Sequence, residues 1–352
     1  MKHFQESQGA NSLAADGAGK AAASERRAPF FGLACAALMM GLWVGSAGEV
    51  VAKQQKAGAA DISAPVFSPR GGAYSTNVVL QLSAPAAGTA DRQPVMIRYR
   101  LDGLDPDENS AVYSGPILLT NSTLVRAKVF AKGSPASPIA AEFYTLLESD
   151  VIDFSSNLPL VILDSFGSNV VHDSSVRAGV QFIDPERGRA RLAGPAHLSR
   201  TCLVHVRGRA SLRYPKNSFT LKITDAEGDP DAVPILGFPA QSDWVLYAPY
   251  PDKTLMRDVL AYELHTKMGH WSPRTRFVEV FVNKTGTKLN QRDYVGVYVF
   301  EEKIKRDRDR VNMAKLKIDD NSEPRITGGY IFKKDHVGDV GLATVGDRRA
   351  HV

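Results

Sequence analysis

The stretch from His205 to Ile223, His-Val-Arg-Gly-Arg-Ala-Ser-Leu-Arg-Tyr-Pro-Lys-Asn-Ser-Phe-Thr-Leu-Lys-Ile, sets basic residues around small ones and then runs into a strand. Those residue types suit the holding of a phosphate. Arg207 and Arg209 bracket Gly208, whose missing side chain lets the backbone approach a ligand, while Lys216 and Lys222 bring long cationic side chains to the following strand. Lys222, within the strand, is the first phosphate candidate, with Lys216 and Arg207 beside it. The competing reading is a solvated β-turn followed by ordinary exposed strand cations. Phosphoryl transfer needs carboxylates as well, to hold divalent metal, to steady a phosphate lysine and to orient the acceptor hydroxyl. Glu263 can steady a lysine from a helix, but it can equally pair with Lys267 at i+4 on the surface. Glu302 ends an apolar strand on the same parity as Tyr298 and Phe300. The mixed-charge run Lys303 to Arg310 reads first as a solvated turn and second as a nucleotide or acidic-substrate contact. His265, His270 and His336 lack ligand spacing and read as surface or structural residues.

The elements that must position these residues begin at Leu158-Pro-Leu-Val-Ile-Leu-Asp, a continuous apolar strand after a polar linker over 148–157. Candidate strands follow at 160–163, 179–183, 203–207, 218–223, 245–248, 277–282, 295–300 and 330–333. One helix stands out. Asp252 is its expected N-cap, Met256, Leu260, Leu264 and Met268 recur every four residues with Val259 alongside, and Gly269 stops it. Strands with one prominent helix imply an α+β domain over 158–352.

Between Ala64 and Leu147 short β-type runs alternate with turn chemistry. In Leu124 to Phe130 the positions Val125, Ala127 and Val129 share one face, which predicts a strand with that face on a core. Closely spaced strands without a helical pattern imply a small β sandwich over 64–147. Asp102-Gly103, Asp105-Pro106 and Gly115-Pro116 are turn formers. A calcium site on Asp102, Asp105 and Asp107 is the rival reading, since clustered carboxylates attract hard cations, but turn aspartates more often bond their own backbone. No paired carboxylates of the kind that cleave glycosides occur here.

Composition adds bounds. The chain has 352 residues, is 43% hydrophobic and carries a net charge of +5, which suits a globular protein and calls for no nucleic-acid partner. Residues 1–28 form a polar leader with a disordered composition, and Arg26-Arg27 precede the apolar run of a membrane-directed segment over 29–52. A secretory signal is the first reading and an uncleaved single-pass anchor the second, so the protein is expected to be exported, secreted or held in the cell envelope. A short linker over 53–63 follows. Cys35 lies in the apolar run and Cys202 in the later domain, which leaves no disulfide after cleavage and no zinc or redox motif.

Two resemblances sharpen this reading. Pro65-Val-Phe-Ser-Pro-Arg-Gly-Gly-Ala-Tyr, Ile97-Arg-Tyr-Arg-Leu-Asp-Gly-Leu-Asp-Pro, Tyr113-Ser-Gly-Pro-Ile and Val125-Arg-Ala-Lys-Val resemble the chitobiase/β-hexosaminidase C-terminal domain, which implies an immunoglobulin-like carrier or spacer module. Ile235-Leu-Gly-Phe-Pro, Ser242-Asp-Trp-Val-Leu, Asp252-Lys-Thr-Leu-Met-Arg-Asp, Met268-Gly, Ser272-Pro-Arg-Thr-Arg-Phe-Val-Glu-Val, Val295-Gly-Val-Tyr-Val-Phe-Glu-Glu-Lys-Ile and Gly328-Gly-Tyr-Ile-Phe-Lys-Lys-Asp resemble, in that order, the CotH kinase family of spore-coat kinases and their bacterial relatives.

The second resemblance implies a kinase-like small lobe, ATP with Mg or Mn, and a protein substrate phosphorylated on Ser or Thr. It also implies nucleotide contacts at Arg207, Lys216, Lys222, Glu263 and Glu302. The Trp-Asp-Phe-Asp type motif that supplies the family's metal-binding acid is absent from this sequence, so the lobe is expected to be incomplete and the catalytic residues stay unassigned. Asp335 and Asp339 are the only acids in a comparable place. Activity as an enzyme is therefore open. The alternative is a non-catalytic cell-surface protein that binds glycan or serves as an adhesive module.

Overall fold

The computed structural model describes residues 62–85, 94–132, 134–327 and 329–331. The polar leader, the apolar run with Cys35, and Asp335, His336 and Asp339 lie outside the described residues. The described residues are mostly β.

Eight strands build the first module: β1 (Val66–Ser68), β2 (Gly72–Tyr74), β3 (Val78–Ser83), β4 (Val95–Arg100), β5 (Ala111–Val112), β6 (Ile117–Leu119), β7 (Thr123–Ala131) and β8 (Ala140–Leu146). They form two sheets, ordered β1-β3-β6 and β2-β8-β7-β4-β5. Val78, Leu80 and Leu82 alternate with exposed neighbours along β3 and meet Ile97, Val125, Ala127, Val129 and Tyr144 of the other sheet in one core. Here the period-two pattern meets the sandwich it predicts. Asp102 and Asp107 hold their own turns, accepting hydrogen bonds from the amides of Leu104 (3.1 Å) and Asn109 (3.0 Å). Asp105 instead accepts from Arg126 and Arg177.

The expected linker over 148–157 is a folded connection. Its polar residues hide Val151, Ile152 and Phe154, which pack with Leu160, Ile162, Phe281 and Leu289. The amide of Leu289 donates to the Leu146 carbonyl (2.7 Å) and that of Glu148 donates to the Leu289 carbonyl (2.8 Å). The short strands β9 (Ser155–Ser156) and β12 (Ala190–Arg191) pair nearby.

The second module is a closed barrel of β10 (Leu160–Asp164), β11 (Val176–Ile183), β13 (Leu198–Arg207), β14 (Ser218–Thr224), β17 (Asp243–Tyr247), β18 (Thr275–Asn283) and β19 (Tyr294–Glu302), with a hairpin of β15 (Val233–Ile235) and β16 (Phe238–Gln241). Each of the first seven candidate strands becomes a stave. The eighth does not: Tyr330 and Ile331 are not in a strand, and 332–333 lie outside the described residues. The sheet closes on itself, a feature that the α+β pattern of the sequence did not specify. Strand β10 pairs antiparallel with β11 and parallel with β18, from Leu160 opposite Glu279 to Asp164 opposite Asn283, so the sheet has no free edge there. Val161 and Leu163 point into the barrel core, and Leu160 and Ile162 point into the cluster beneath Phe154, which is why this strand is apolar from Leu160 to Leu163.

One helix, α1 (Arg257–Lys267), crosses from β17 to β18. It begins five residues after the expected cap, yet Asp252 still accepts from the Arg257 amide (2.9 Å). Gly269, at φ +88°, ends it. The apolar stripe is outside: Met256, Leu260, Leu264 and Met268 are 52, 50, 52 and 72% exposed, and the half-buried residues of the helix are Val259 and Tyr262.

The two modules dock closely. A Cβ on Gly179 of β11 would lie 2.7 Å from the ring of Phe143 in β8, so only glycine leaves room for it. Phe143 also packs edge-on against Phe166 at 6.0 Å. The fully buried Arg126 donates to Asp105 (2.6 Å) and to the Ala226 carbonyl (2.7 Å), and Arg177 of the barrel donates to Asp105 (3.1 Å) and to the Gly103 carbonyl (2.6 Å). Gly179→Ala is expected to destabilise the protein by about 1–3 kcal/mol through overpacking. A denaturant titration checks this, and a double-mutant cycle with Phe143→Leu should recover part of the loss.

Candidate functional site

Strand alternation sorts the barrel residues into two sets. Val204 and Val206 of β13, Phe219 and Leu221 of β14, Trp244 and Leu246 of β17, and Tyr298 and Phe300 of β19 fill the barrel. Their neighbours His205, Arg207, Ser218, Thr220, Lys222, Tyr247 and Glu301 therefore share the outer face. Register brings them abreast, with Arg207 opposite Ser218 and Val245 opposite Glu301. Asp258 and Tyr262 of α1 join Arg207, Gly208, Ser211, Ser218, Tyr247 and Glu301 around a pocket of about 250 Å³.

Gly208 makes one wall possible. At φ +103° it turns the chain so that Ser211, in a short 3₁₀ turn (Ala210–Arg213), folds back, and a Cβ on Gly208 would lie 1.9 Å from the Ser211 hydroxyl oxygen.

Glu301 is the buried acid of the pocket. It is only 9% exposed, and no donor among the described residues reaches its carboxylate within hydrogen-bond distance. Its nearest cation is the Arg207 guanidinium at 4.0 Å. Burial pushes the acid up to about 7, Arg207 pulls it partly back, and the charge of Asp258 adds to the rise. Burial also raises the Tyr247 phenol, helped by a hydrogen bond to Asp258, and raises the Tyr262 phenol.

Of the five sequence-derived nucleotide candidates, only Arg207 lines the pocket. Lys222 shares its face but sits opposite Leu203, four residues along β13, about 13 Å away by strand rise. Lys216 lies elsewhere, donating to the Val297 carbonyl (2.6 Å) with its ammonium 4.4 Å from the centre of the Tyr298 ring, and burial lowers its pKa. Glu263 is exposed and paired with Lys267 at 3.0 Å, the surface alternative allowed by their spacing.

Glu302 is a structural residue. Its side chain is fully buried and accepts from Arg274 through the guanidinium (2.7 Å) and the backbone amide (3.0 Å), with Arg310 at 3.6 Å. The charged run from Lys303 is exposed or half-buried as far as Asp309, and only its last residue, Arg310, is buried. It is buried 5.1 Å from the Trp244 ring centre and donates to the carbonyls of Lys303 and Asp243, both at 2.8 Å.

Sequence reasoning missed Glu301, Asp258, Tyr247 and Tyr262. A signal for Glu301 was present: its neighbour Glu302 shares parity with Tyr298 and Phe300, the core-facing side, so Glu301 had to face out. Asp258, Tyr247 and Tyr262 come from other elements and carry no common motif. Among the described residues no group of three or more His, Cys, Asp and Glu stands close enough to hold a metal ion.

A two-sheet sandwich docked on a closed barrel, whose outer face brings Arg207 and Glu301 against Asp258 of α1, defines the architecture of the described residues. Residues 69–141 match the chitobiase/β-hexosaminidase C-terminal domain, and residues 204–347 match the CotH kinase protein family, in that order. No curated protein matches the chain.

Because the Glu301 pKa is raised from 4.5 to about 7 on folding, wild type loses stability as pH rises through that window. Glu301→Gln is expected to be more stable than wild type by up to about 3 kcal/mol at pH 8, with the gap closing below pH 4.5. Thermal melts across pH read it directly. Glu302→Ala should instead cost about 3–5 kcal/mol by stranding Arg310, measurable as a lower denaturant midpoint.

Proposed function

We propose that this chain is an exported CotH-like phosphotransferase that moves phosphate from ATP to serine or threonine hydroxyls of a surface or extracytoplasmic protein. The observation that carries this reading is the pocket of Arg207, Glu301 and Asp258, inside the stretch that matches the CotH kinase family. Export rests on Arg26-Arg27 ahead of the apolar run.

The pocket residues fit a metal-bound phosphate. Arg207 is partly exposed and only loosely paired, so it can turn to a phosphate oxygen, and Ser211, Ser218 and the Gly208 backbone line the same space. Two carboxylates would repel a bare phosphate. Mg²⁺ typically binds through one or two carboxylates together with substrate phosphates, and Asp258 and Glu301 supply such a pair. Bound there, the cation would neutralise phosphate charge; Arg207 would orient the phosphate, and the phenols of Tyr247 and Tyr262 would shield it from water. Lys222, farther along the same face, and Lys216 are the secondary cations of this proposal.

The test is equilibrium binding of a non-hydrolysable ATP analogue to the full chain, with and without Mg²⁺. Metal-dependent binding is expected, weakened about tenfold or more in Arg207→Ala and less in Lys222→Ala. Failure to bind under either condition, with cell-wall glycan retained instead, would replace this reading with that of an adhesive surface protein.

A further inference from the structure

The two segments that line the pocket continue outward into a surface of different chemistry. Past Ser211 come Arg213 and Tyr214, and between Tyr247 and Asp258 come Tyr250 and Lys253. Folding sets the two tyrosines together, with ring centres 5.4 Å apart and planes tilted by 35°. The Arg213 guanidinium stands 5.2 Å from the Tyr214 ring centre, and the Lys253 ammonium 4.7 Å from that of Tyr250. Both rings are half-buried and both cations exposed.

These cations lack counter-charges. Neither Arg213 nor Lys253 is ion-paired among the described residues. The acid nearest in sequence, Asp252, is committed elsewhere: it accepts from the Thr254 and Arg257 amides (3.0 and 2.9 Å) and pairs with Arg257. Two half-buried tyrosine rings, each with an exposed cation beside it that has no counter-charge, thus stand on segments that also supply the pocket residues Ser211 and Tyr247.

We propose that this patch docks an acidic protein segment, the part of the substrate that carries the acceptor hydroxyl toward the pocket. Calling the partner a substrate rests on the phosphotransfer reading above; the docking itself does not. Arg213 can take a carboxylate in bidentate fashion, Lys253 adds a second charge contact, and the tyrosine faces accept the flat peptide groups and methylenes between them. Tyrosine and arginine are also the residue types that dominate protein-binding hot spots. A duplex nucleic acid is the poorer fit, because its affinity comes from several neutralised phosphates and the patch offers two cations, one of which, Arg213, also donates to the Tyr214 hydroxyl (3.3 Å).

The experiment is fluorescence anisotropy of the full chain with a labelled Glu- and Asp-rich peptide holding a central serine. A Lys-rich peptide and an oligonucleotide duplex serve as comparison probes, and wild type is set against Arg213→Glu/Lys253→Glu and against Tyr214→Ala/Tyr250→Ala. Wild type should bind the acidic peptide and not the basic one. The charge-reversed variant should lose at least about tenfold in affinity while its melting temperature and ATP-analogue binding stay unchanged. The docking proposal is overturned by a wild type that ignores the acidic peptide, by variants that bind it equally, or by a duplex that binds as tightly. Loss of ATP binding with peptide docking intact would instead remove the phosphotransfer reading and leave the patch standing.

Discussion

Parallel pairing of Leu160–Asp164 with Glu279–Asn283 is the contact on which the rest of the structure depends. It closes the barrel, and a closed barrel has no freedom left in the placement of its staves. With β18 fixed beside β10, β19 must lie between β18 and β17, which presents Glu301 outward and Glu302 inward. The chain between β17 and β18 must cross the outside of the barrel, and α1 is that crossing, so Asp258 and Tyr262 arrive at the Glu301 face. On the other side β11 is held in register, and Gly179 meets Phe143 of the sandwich.

The adjacent glutamates show how one residue of register separates two kinds of electrostatics. Glu302 enters the barrel end and finds Arg274, Arg310 and the Trp244 face, a buried charge surrounded by donors. Glu301 is nearly as buried, but its closest cation stands at 4.0 Å and its other neighbour is an acid. The first arrangement is what a structural carboxylate requires, because stranding a partner would leave an uncompensated charge. The second leaves a carboxylate with a distant cation as its only counter-charge, beside an open space.

Docking of the sandwich on the barrel follows the same logic of shape and charge. On β7, Val125, Ala127 and Val129 fill the sandwich core, and the opposite face would be solvated in an isolated module; here Leu124 and Arg126 are buried too. Arg126 and Arg177 converge from the two modules on Asp105, a turn aspartate turned into a clasp. The connection after Leu147 is packed as well, so this module is held against the barrel instead of swinging from a spacer.

What the sequence determined by itself was the set of parts. Alternating runs located sandwich strands such as 124–130, and alternating or continuous apolar runs located all seven staves, because strand geometry sets those patterns according to whether one face or both are buried. The helix was legible from its four-residue spacing and Gly269, but not the side it buries: the Met256 to Met268 stripe looks like a core face and lies in solvent, since Val259 and Tyr262 make the seat. Local motifs found Arg207 because one segment holds the arginine and the glycine that bends it into place. The pocket was not legible, because its members come from six separate elements whose meeting is set by register and closure, and neither is written in any one stretch of chain. The surroundings of each charged residue were likewise set only in three dimensions: Glu302 is held inside by Arg274 and Arg310, Lys222 stands farther along the outer face, and Glu301 and Asp258 line the pocket with Arg207, because strand parity and register fix which side chains meet.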